Sequence, residues 1–233
     1  MPFEIGSSAL MHTRSKNTRV DDAYDRLKFE ITHSKLPPGS QAPEPDIAER
    51  LGMSRTPVRE ALIRLEADGL VHLVPRRGVR VLGVSSKDLV EVYDILSALE
   101  PLAISNLASR TIASKDLEKL EELIRDMDMA LERNDIDSWA DAEDGYYRLL
   151  LALGENRRLE KVVLGLYDQV RRGRMVLLRL RGVPVATVQT YRDILAAIVS
   201  GDGPGAYKQS HACRRRTLET FCELFRTSQL SQI

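Results

Sequence analysis

Between Ile47 and Leu65 the chain reads IAERLGMSRTPVREALIRL, and this stretch leaves few folds open. Ile47, Leu51, Met53, Val58 and Ala61 fall where two short crossing helices need apolar side chains. Ala48 is small where those helices approach, and Gly52 permits the positive φ of a tight turn between them. Ser54 suits the N-cap of the second helix, with Arg55, Thr56 and Pro57 in its first turn, where the missing proline N–H costs no hydrogen bond. The pattern is that of a helix-turn-helix.

The second helix presents Arg55 and Arg59 four residues apart on one face, with Thr56 beside them at the same end. A helix N-terminus attracts phosphate, and an arginine fork matches the O6 and N7 acceptors of guanine in the major groove. Double-stranded DNA is therefore the expected partner. The bland alternative is a structural helical hairpin whose arginines are only solvated, and the residues that follow decide against it. They read GLVHLVPRRGVRVLGV, in which Leu70–Val74 and Val79–Val84 are β-prone runs separated by Pro75, Arg76, Arg77 and Gly78. Such a hairpin is a wing with a basic tip, and Arg76 and Arg77 would meet the negative potential of a DNA backbone or minor groove.

With SRTPVREAL at Ser54–Leu62, then LEADGLV and PRRGV, the chain resembles the GntR transcriptional regulators. The resemblance covers a helix from about Val20 to Ser34, the LPPGS turn at Leu36–Ser40, the helix-turn-helix and the wing. It implies DNA contacts from Ser54, Arg55, Thr56, Pro57, Arg59, Arg76, Arg77 and Gly78. Upstream the chain departs from the family pattern L-x-E-x-x-L-A, carrying Ala42, Glu44 and Ile47. Pro45 stands where some relatives have a DNA-contacting arginine, so one contact is lost.

At 233 residues the chain is long enough for two domains with separate cores. Its net charge of zero says nothing about DNA, so the argument rests on where individual arginines sit. Cys213 and Cys222 lie nine residues apart on one expected helix and point to opposite faces, which fits a reduced, cytoplasmic protein. No stretch has signal-peptide character or the length to span a bilayer, and no membrane partner is expected. Residues 1–18 read as a flexible tail, 19–84 as the winged helix-turn-helix, and 85–228 as a second domain.

That second domain carries helical signals throughout. Ser85 and Asp88 make a capping-box start. Helices are expected over Ser86–Ala108, Ser114–Asn134, Asp135–Leu153, Arg158–Arg181, Thr187–Ser200 and Pro204–Phe225, with breaks at Gly154, Gly182, Pro184 and Gly201–Gly205. The fold class is thus mainly α, a winged helix-turn-helix with a small β-hairpin followed by an all-α antiparallel bundle.

In LEPLA at Leu99–Ala103, EDGYYRLLLALGEN at Glu143–Asn156 and YRDILAAIVSGD at Tyr191–Asp202, this region resembles the FCD domain of the FadR subfamily of GntR regulators. That resemblance implies a homodimer with a small-molecule effector, and in many members a divalent metal held by one aspartate and three histidines. Here the matching positions are Glu143, Tyr147, Tyr191 and Cys213, with His211 close by, and Leu96 replaces a common arginine. A phenol is a poor ligand for a divalent cation beside imidazole, so neither a metal nor another cofactor is expected. Glu143, Tyr147, Tyr191, His211 and Cys213 remain as a candidate effector pocket. Against that stands a plain reading in which Tyr147 is core, Glu143 partly exposed and His211 on the surface.

Arg171, Arg172, Arg174, Arg179 and Arg181 are read first as a solvated helix face, and second as a source of one inward charge for an anionic effector. None of the four histidines, His12, His33, His72 and His211, stands in a catalytic constellation, and no phosphate-cradling glycine loop is present, so an enzyme is not expected. The expected function is a transcription factor, a repressor controlled by a carboxylate-type effector. The alternative is a constitutive DNA-binding protein whose second domain only dimerises.

Overall fold

The computed structural model describes residues 18–33, 35–183 and 186–228. The readings of residues 1–17 as a tail, of Ser34 as a helix end and of Pro184 as a break lie outside them. Two separate hydrophobic cores organise the molecule, one built from Ala23 to Val81 and the other from Val84 to Phe225.

The first core joins three helices and a small sheet. Helix α1 (Arg19–Thr32) starts at Thr18, whose side chain caps the backbone of Asp21 while the Asp21 carboxylate returns to the Thr18 N–H. Thr18 is therefore a structured cap rather than the end of a tail. Strand β1 (Gln41–Ala42) leads into α2 (Glu44–Leu51) and α3 (Arg55–Ala67), and β2 (Val71–Val74) and β3 (Gly78–Val81) form the hairpin. Helix α2 ends at Gly52 with φ 67°, ψ 35°, the left-handed turn that lets α3 cross it. The apolar positions of both helices close against α1, burying Ile47, Leu51, Val58, Ala61 and Leu65.

The hairpin differs from its expectation in two respects. Strand β3 stops at Val81, short of Val84, and a third strand joins the sheet in the order β1-β3-β2, all antiparallel. Gly78 makes that third pairing possible. It sits at φ 88°, and a Cβ there would stand 2.1 Å from the Ala42 carbonyl oxygen. A two-residue strand carries too little pattern to be seen in the sequence.

Six helices make the bundle: α4 (Ser86–Leu107), α5 (Ser114–Glu132), α6 (Ile136–Leu153), α7 (Arg157–Arg181), α8 (Ala186–Val199) and α9 (Gly203–Ser228). Ser85 and Asp88 cap α4 reciprocally as expected, Asp135 caps α6 and Asn156 caps α7. At the Gly201–Gly205 break, Asp202 accepts from the Gly205 N–H at 2.9 Å and starts α9. Helix α4 packs along α9, α5 along α6 and α8 against α9, enclosing Tyr93, Trp139, Tyr146, Ile194 and Phe221.

One polar network crosses this core. Glu100 of α4 is fully buried and accepts from Arg214 Nε of α9 at 2.7 Å and from Ser210 Oγ at 3.1 Å. Arg214 also donates to the Tyr167 hydroxyl at 2.5 Å, and its guanidinium lies over the rings of Tyr147 and Tyr167. A buried ion pair this well hydrogen-bonded fixes the register of α4, α7 and α9 against one another.

Candidate functional site: DNA interface and bundle cleft

The helix-turn-helix and the hairpin carry their basic residues outward. Burial of Val58, Ala61, Leu62 and Leu65 turns the opposite side of α3 to solvent, and Arg55, Thr56 and Arg59 are exposed there. Ser54 is the N-cap, yet its side chain makes no capping hydrogen bond, which leaves the hydroxyl available at the helix entrance. Arg59 comes no nearer than 3.9 Å to the Glu44 carboxylate, and Arg55 has no ion pair among the described residues. Pro57 is half-buried in the first turn.

At the wing tip Arg76 adopts φ 63°, and Arg77 follows it, both exposed. Gln41 donates to the Arg77 carbonyl at 3.1 Å and so ties the tip to β1. These exposed donors stand on elements anchored by a buried apolar face, so they need no rearrangement of the core to reach a partner. Pro45, at the start of α2, is exposed and contributes no donor.

In the bundle, α6, α8 and α9 bring Glu143, Tyr147, Tyr191 and Cys213 together. All four are buried. The Tyr191 hydroxyl donates to Glu143, the Tyr147 hydroxyl lies 4.0 Å from Cys213 Sγ, and the rings of Tyr146, Tyr147 and Tyr191 pack with centroids 5.5 to 5.7 Å apart. The plain reading of Glu143 as partly exposed does not hold, because Arg174 of α7 pairs with it from above. His211 is not part of this group. It is half-buried and stacks on Tyr207, one turn earlier on α9.

Beside these residues a cleft of about 760 Å³ opens, with Glu143, Tyr191, Arg174, Cys213, Arg181 and Arg216 among its lining. Arg174 marks what the sequence left unresolved: Arg179 and Arg181 are exposed, as a solvated face requires, but Arg171, Arg172 and Arg174 turn into the fold. Arg171 pairs with Asp141 at 2.5 Å and Asp144 at 3.4 Å, Arg179 with Asp137 at 3.0 Å, Arg181 with Glu223 at 2.7 Å, and Arg172 is buried. The acids that receive them sit on α6 and α9, so only tertiary packing reveals the pairing.

The chemistry of the group does not fit a divalent metal. Burial drives the hydroxyls of Tyr147 and Tyr191 well above the ordinary phenol value and raises the Cys213 thiol, so all three are held in protonated, weakly ligating forms. The one carboxylate, Glu143, is already engaged by a guanidinium. For Arg174, burial works against its charge, but the neighbouring carboxylate reverses the effect and the net shift is upward. A fixed cation thus stands in the cleft already.

Helix α7 also reaches the N-terminal unit. Asp168 pairs with Lys28 of α1 and, at 3.0 Å, with Arg148 of α6. Gln169 donates to the Asp68 carbonyl at the end of α3 at 3.0 Å, and Arg171 contacts the His33 ring at 3.0 Å. Six residues separate Asp168 from Arg174, about 9 Å along a helix axis. One rigid element therefore touches the bundle cleft and the base of the helix-turn-helix.

Comparison with known proteins meets this geometry at both ends. The model of the bacterial regulatory proteins of the gntR family matches residues 19–81, and that of the FCD domain matches residues 91–222. The chain belongs to the GntR family, in its FCD-bearing FadR subfamily.

Among GntR relatives, an uncharacterized HTH-type transcriptional regulator of Agrobacterium vitis is 40% identical over 58% of this chain and 80% of its own length. A probable D-xylose utilization operon transcriptional repressor of Paenarthrobacter nicotinovorans is 31% identical over 81% of this chain and 82% of its own. The solved structure of E. coli McbR/YncC superposes with a TM-score of 0.79 at 24% identity, covering 89% of this chain and 99% of that one, a likeness of fold. As a GntR protein the chain is a DNA-binding transcriptional regulator, mainly helical with a small antiparallel sheet, and its relatives are regulators rather than enzymes. No helix among the described residues is long and apolar enough to cross a membrane.

Proposed function

We propose that this regulator is a cytoplasmic, homodimeric repressor whose operator affinity is set by a small carboxylate-type effector in the bundle cleft. Residues 19–84 serve as the DNA-binding unit and 85–228 as the effector-binding and dimerisation unit. Two copies would read two half-sites of a palindrome, since one winged module makes few contacts. Ser54, Arg55, Thr56, Pro57 and Arg59 meet the major groove and its phosphates, while Arg76, Arg77 and Gly78 form the wing contact.

The observation that carries the effector reading is the Glu143–Arg174 pair on the cleft wall. A bound carboxylate competes with Glu143 for Arg174, aided by Arg181 and Arg216, while the Tyr191 hydroxyl orients it and Tyr147, buried behind the cleft, supports Cys213. Displacing that pair shifts α7, and α7 holds Lys28 and the Asp68 carbonyl of the DNA-binding unit. The effector needs no metal, because Arg174 supplies the positive charge.

Fluorescence anisotropy on an operator enriched from random DNA tests this reading, with sedimentation of the full chain to establish the dimer. Small carboxylates that release DNA should lose that effect in Arg174→Gln and in the Tyr147→Phe/Tyr191→Phe double variant, with basal operator affinity intact. The purified protein should carry only substoichiometric Zn, Ni or Mn. DNA affinity that no carboxylate changes would favour the constitutive alternative, in which the bundle only dimerises.

A further inference from the structure

Arg172 has no role in the scheme above. Its side chain is 1% exposed, yet Nε and Nη1 find no hydrogen-bond partner, and no carboxylate pairs with it among the described residues. Burial alone pushes its pKa down to about 10, with no opposing charge to offset the loss of water. The guanidinium therefore stays charged at neutral pH. An isolated buried cation is among the least favourable groups a fold can hold, and one that is retained calls for a partner from outside the chain or another explanation.

Arg172 lines a cleft of about 570 Å³ between the two units, separate from the bundle cleft that Arg174 faces. Leu82 comes from the chain after β3, Val92 and Ile95 from α4, and Leu166 from α7, so about half of the wall is aliphatic and the rest is polar. Asp88 and Glu91 also line it, on the exposed side of α4, with the Asp88 carboxylate engaged at the Ser85 cap and Glu91 lying 3.7 Å from Lys87. Arg80 is the second cation, exposed on β3.

We propose that this cleft is a second ligand site, and that it takes a small monocarboxylate with an apolar body. The planar guanidinium matches the two oxygens of a carboxylate, and the aliphatic half of the wall, with Leu82, Val92, Ile95 and Leu166, accepts a hydrocarbon or aromatic group. One buried cation balances one negative charge, while Asp88 and Glu91 disfavour a dianion such as a phosphate monoester. A molecule seated there touches both the chain leaving the wing and helices α4 and α7. It therefore fixes the DNA-binding unit against the bundle.

Thermal unfolding of the full chain tests the site with millimolar hexanoate or phenylacetate, with hexanamide and phenylacetamide as neutral controls, and with inorganic phosphate. The carboxylates should raise Tm saturably in the wild type and in Arg174→Gln, and the amides and phosphate should not. Arg172→Met should abolish the response and, without ligand, raise Tm by about 2–6 °C, because it removes an unpaired buried charge of similar stem length. Ile95→Trp, at a position 45% exposed, should narrow the cleft and abolish the response with Arg172 left in place.

An Arg172→Met protein less stable than wild type would overturn the proposal, since the guanidinium would then have a partner in the fold. So would carboxylates that stabilise Arg172→Met or Ile95→Trp as well as wild type; loss of their effect in Arg174→Gln would place them in the bundle cleft. Phosphate acting more strongly than the carboxylates would overturn the ligand class, and no response to either carboxylate would overturn the site.

Discussion

Helices α3 and α7 both carry arginines at helical spacing, and they hold them in opposite states. On α3 the guanidinium groups of Arg55 and Arg59 stand in solvent, the nearer carboxylate being 3.9 Å from Arg59. On α7 Arg171, Arg174, Arg179 and Arg181 are each taken by an acid from α6 or α9, and Arg172 is enclosed. A charge left in water is available to a charged partner and contributes little to the fold. Arg179 and Arg181 keep much of their water in surface pairs, whereas Arg171 and Arg174, paired inside the fold, have exchanged hydration for protein contacts and so report on structure. Under the proposed function, the difference separates the surface offered to DNA from the framework that would carry the effector signal.

Arg214 should give the largest effect, because it is the extreme of the engaged class. Arg214→Met leaves Glu100 buried without its cation and should cost about 3–5 kcal/mol in urea unfolding. Burial already pushes the Glu100 carboxyl upward, so the variant should take up a proton there as it folds. An unchanged unfolding midpoint would remove the distinction between the two classes.

At the other pole, Arg59→Ala should lose about 1–3 kcal/mol of operator binding with no change in unfolding. Gel-shift titration beside a urea curve measures both. An operator affinity within twofold of wild type would mean that α3 does not lie in the groove.

The smallest effect comes from Arg64, which shares α3 with Arg59 but is engaged. It pairs with Asp21 at 2.8 Å and lies over the Tyr24 ring. Hydrogen bonds from Arg64 and from the Thr18 cap lower the Asp21 pKa from 3.8 to about 2. A depressed folded-state pKa means that the unfolded chain binds more protons between those values. The contribution is thus fully present above pH 3.8 and is lost as pH falls through about 2. Asp21→Asn should flatten the stability profile in that window and leave it unchanged in shape at neutral pH. A slope identical to wild type would show that the pair does not form in solution.

Legibility followed the range of the interaction. The caps at Ser85 and Asp135, the turn at Gly52 and the helix boundaries depend on neighbours within four residues, and their spacing is visible along the chain. The resemblance to GntR regulators came through one such dense run, Ser54–Leu62. In the bundle, the family pattern led to Glu143, Tyr147, Tyr191 and Cys213, which the fold brings together, but it also admitted His211, two residues before Cys213, which faces Tyr207 instead. Two positions along a helix are about 200° apart, so a near miss in sequence is a different face.

The sequence by itself determined the helix-turn-helix, the basic wing and the helical character of everything after Ser85. Those are set by local periodicity, turn chemistry and the burial of one face. Only the tertiary structure decided which arginines are free. The partners of Arg171, Arg174, Arg181 and Arg214 lie 27 to 114 residues away in sequence. A guanidinium's state depends on the water it loses and the carboxylate it meets, and the packing of α4, α6, α7 and α9 supplies both. The same packing gave β1 its partner across Gly78 and left Arg172 Nε and Nη1 without one among the described residues.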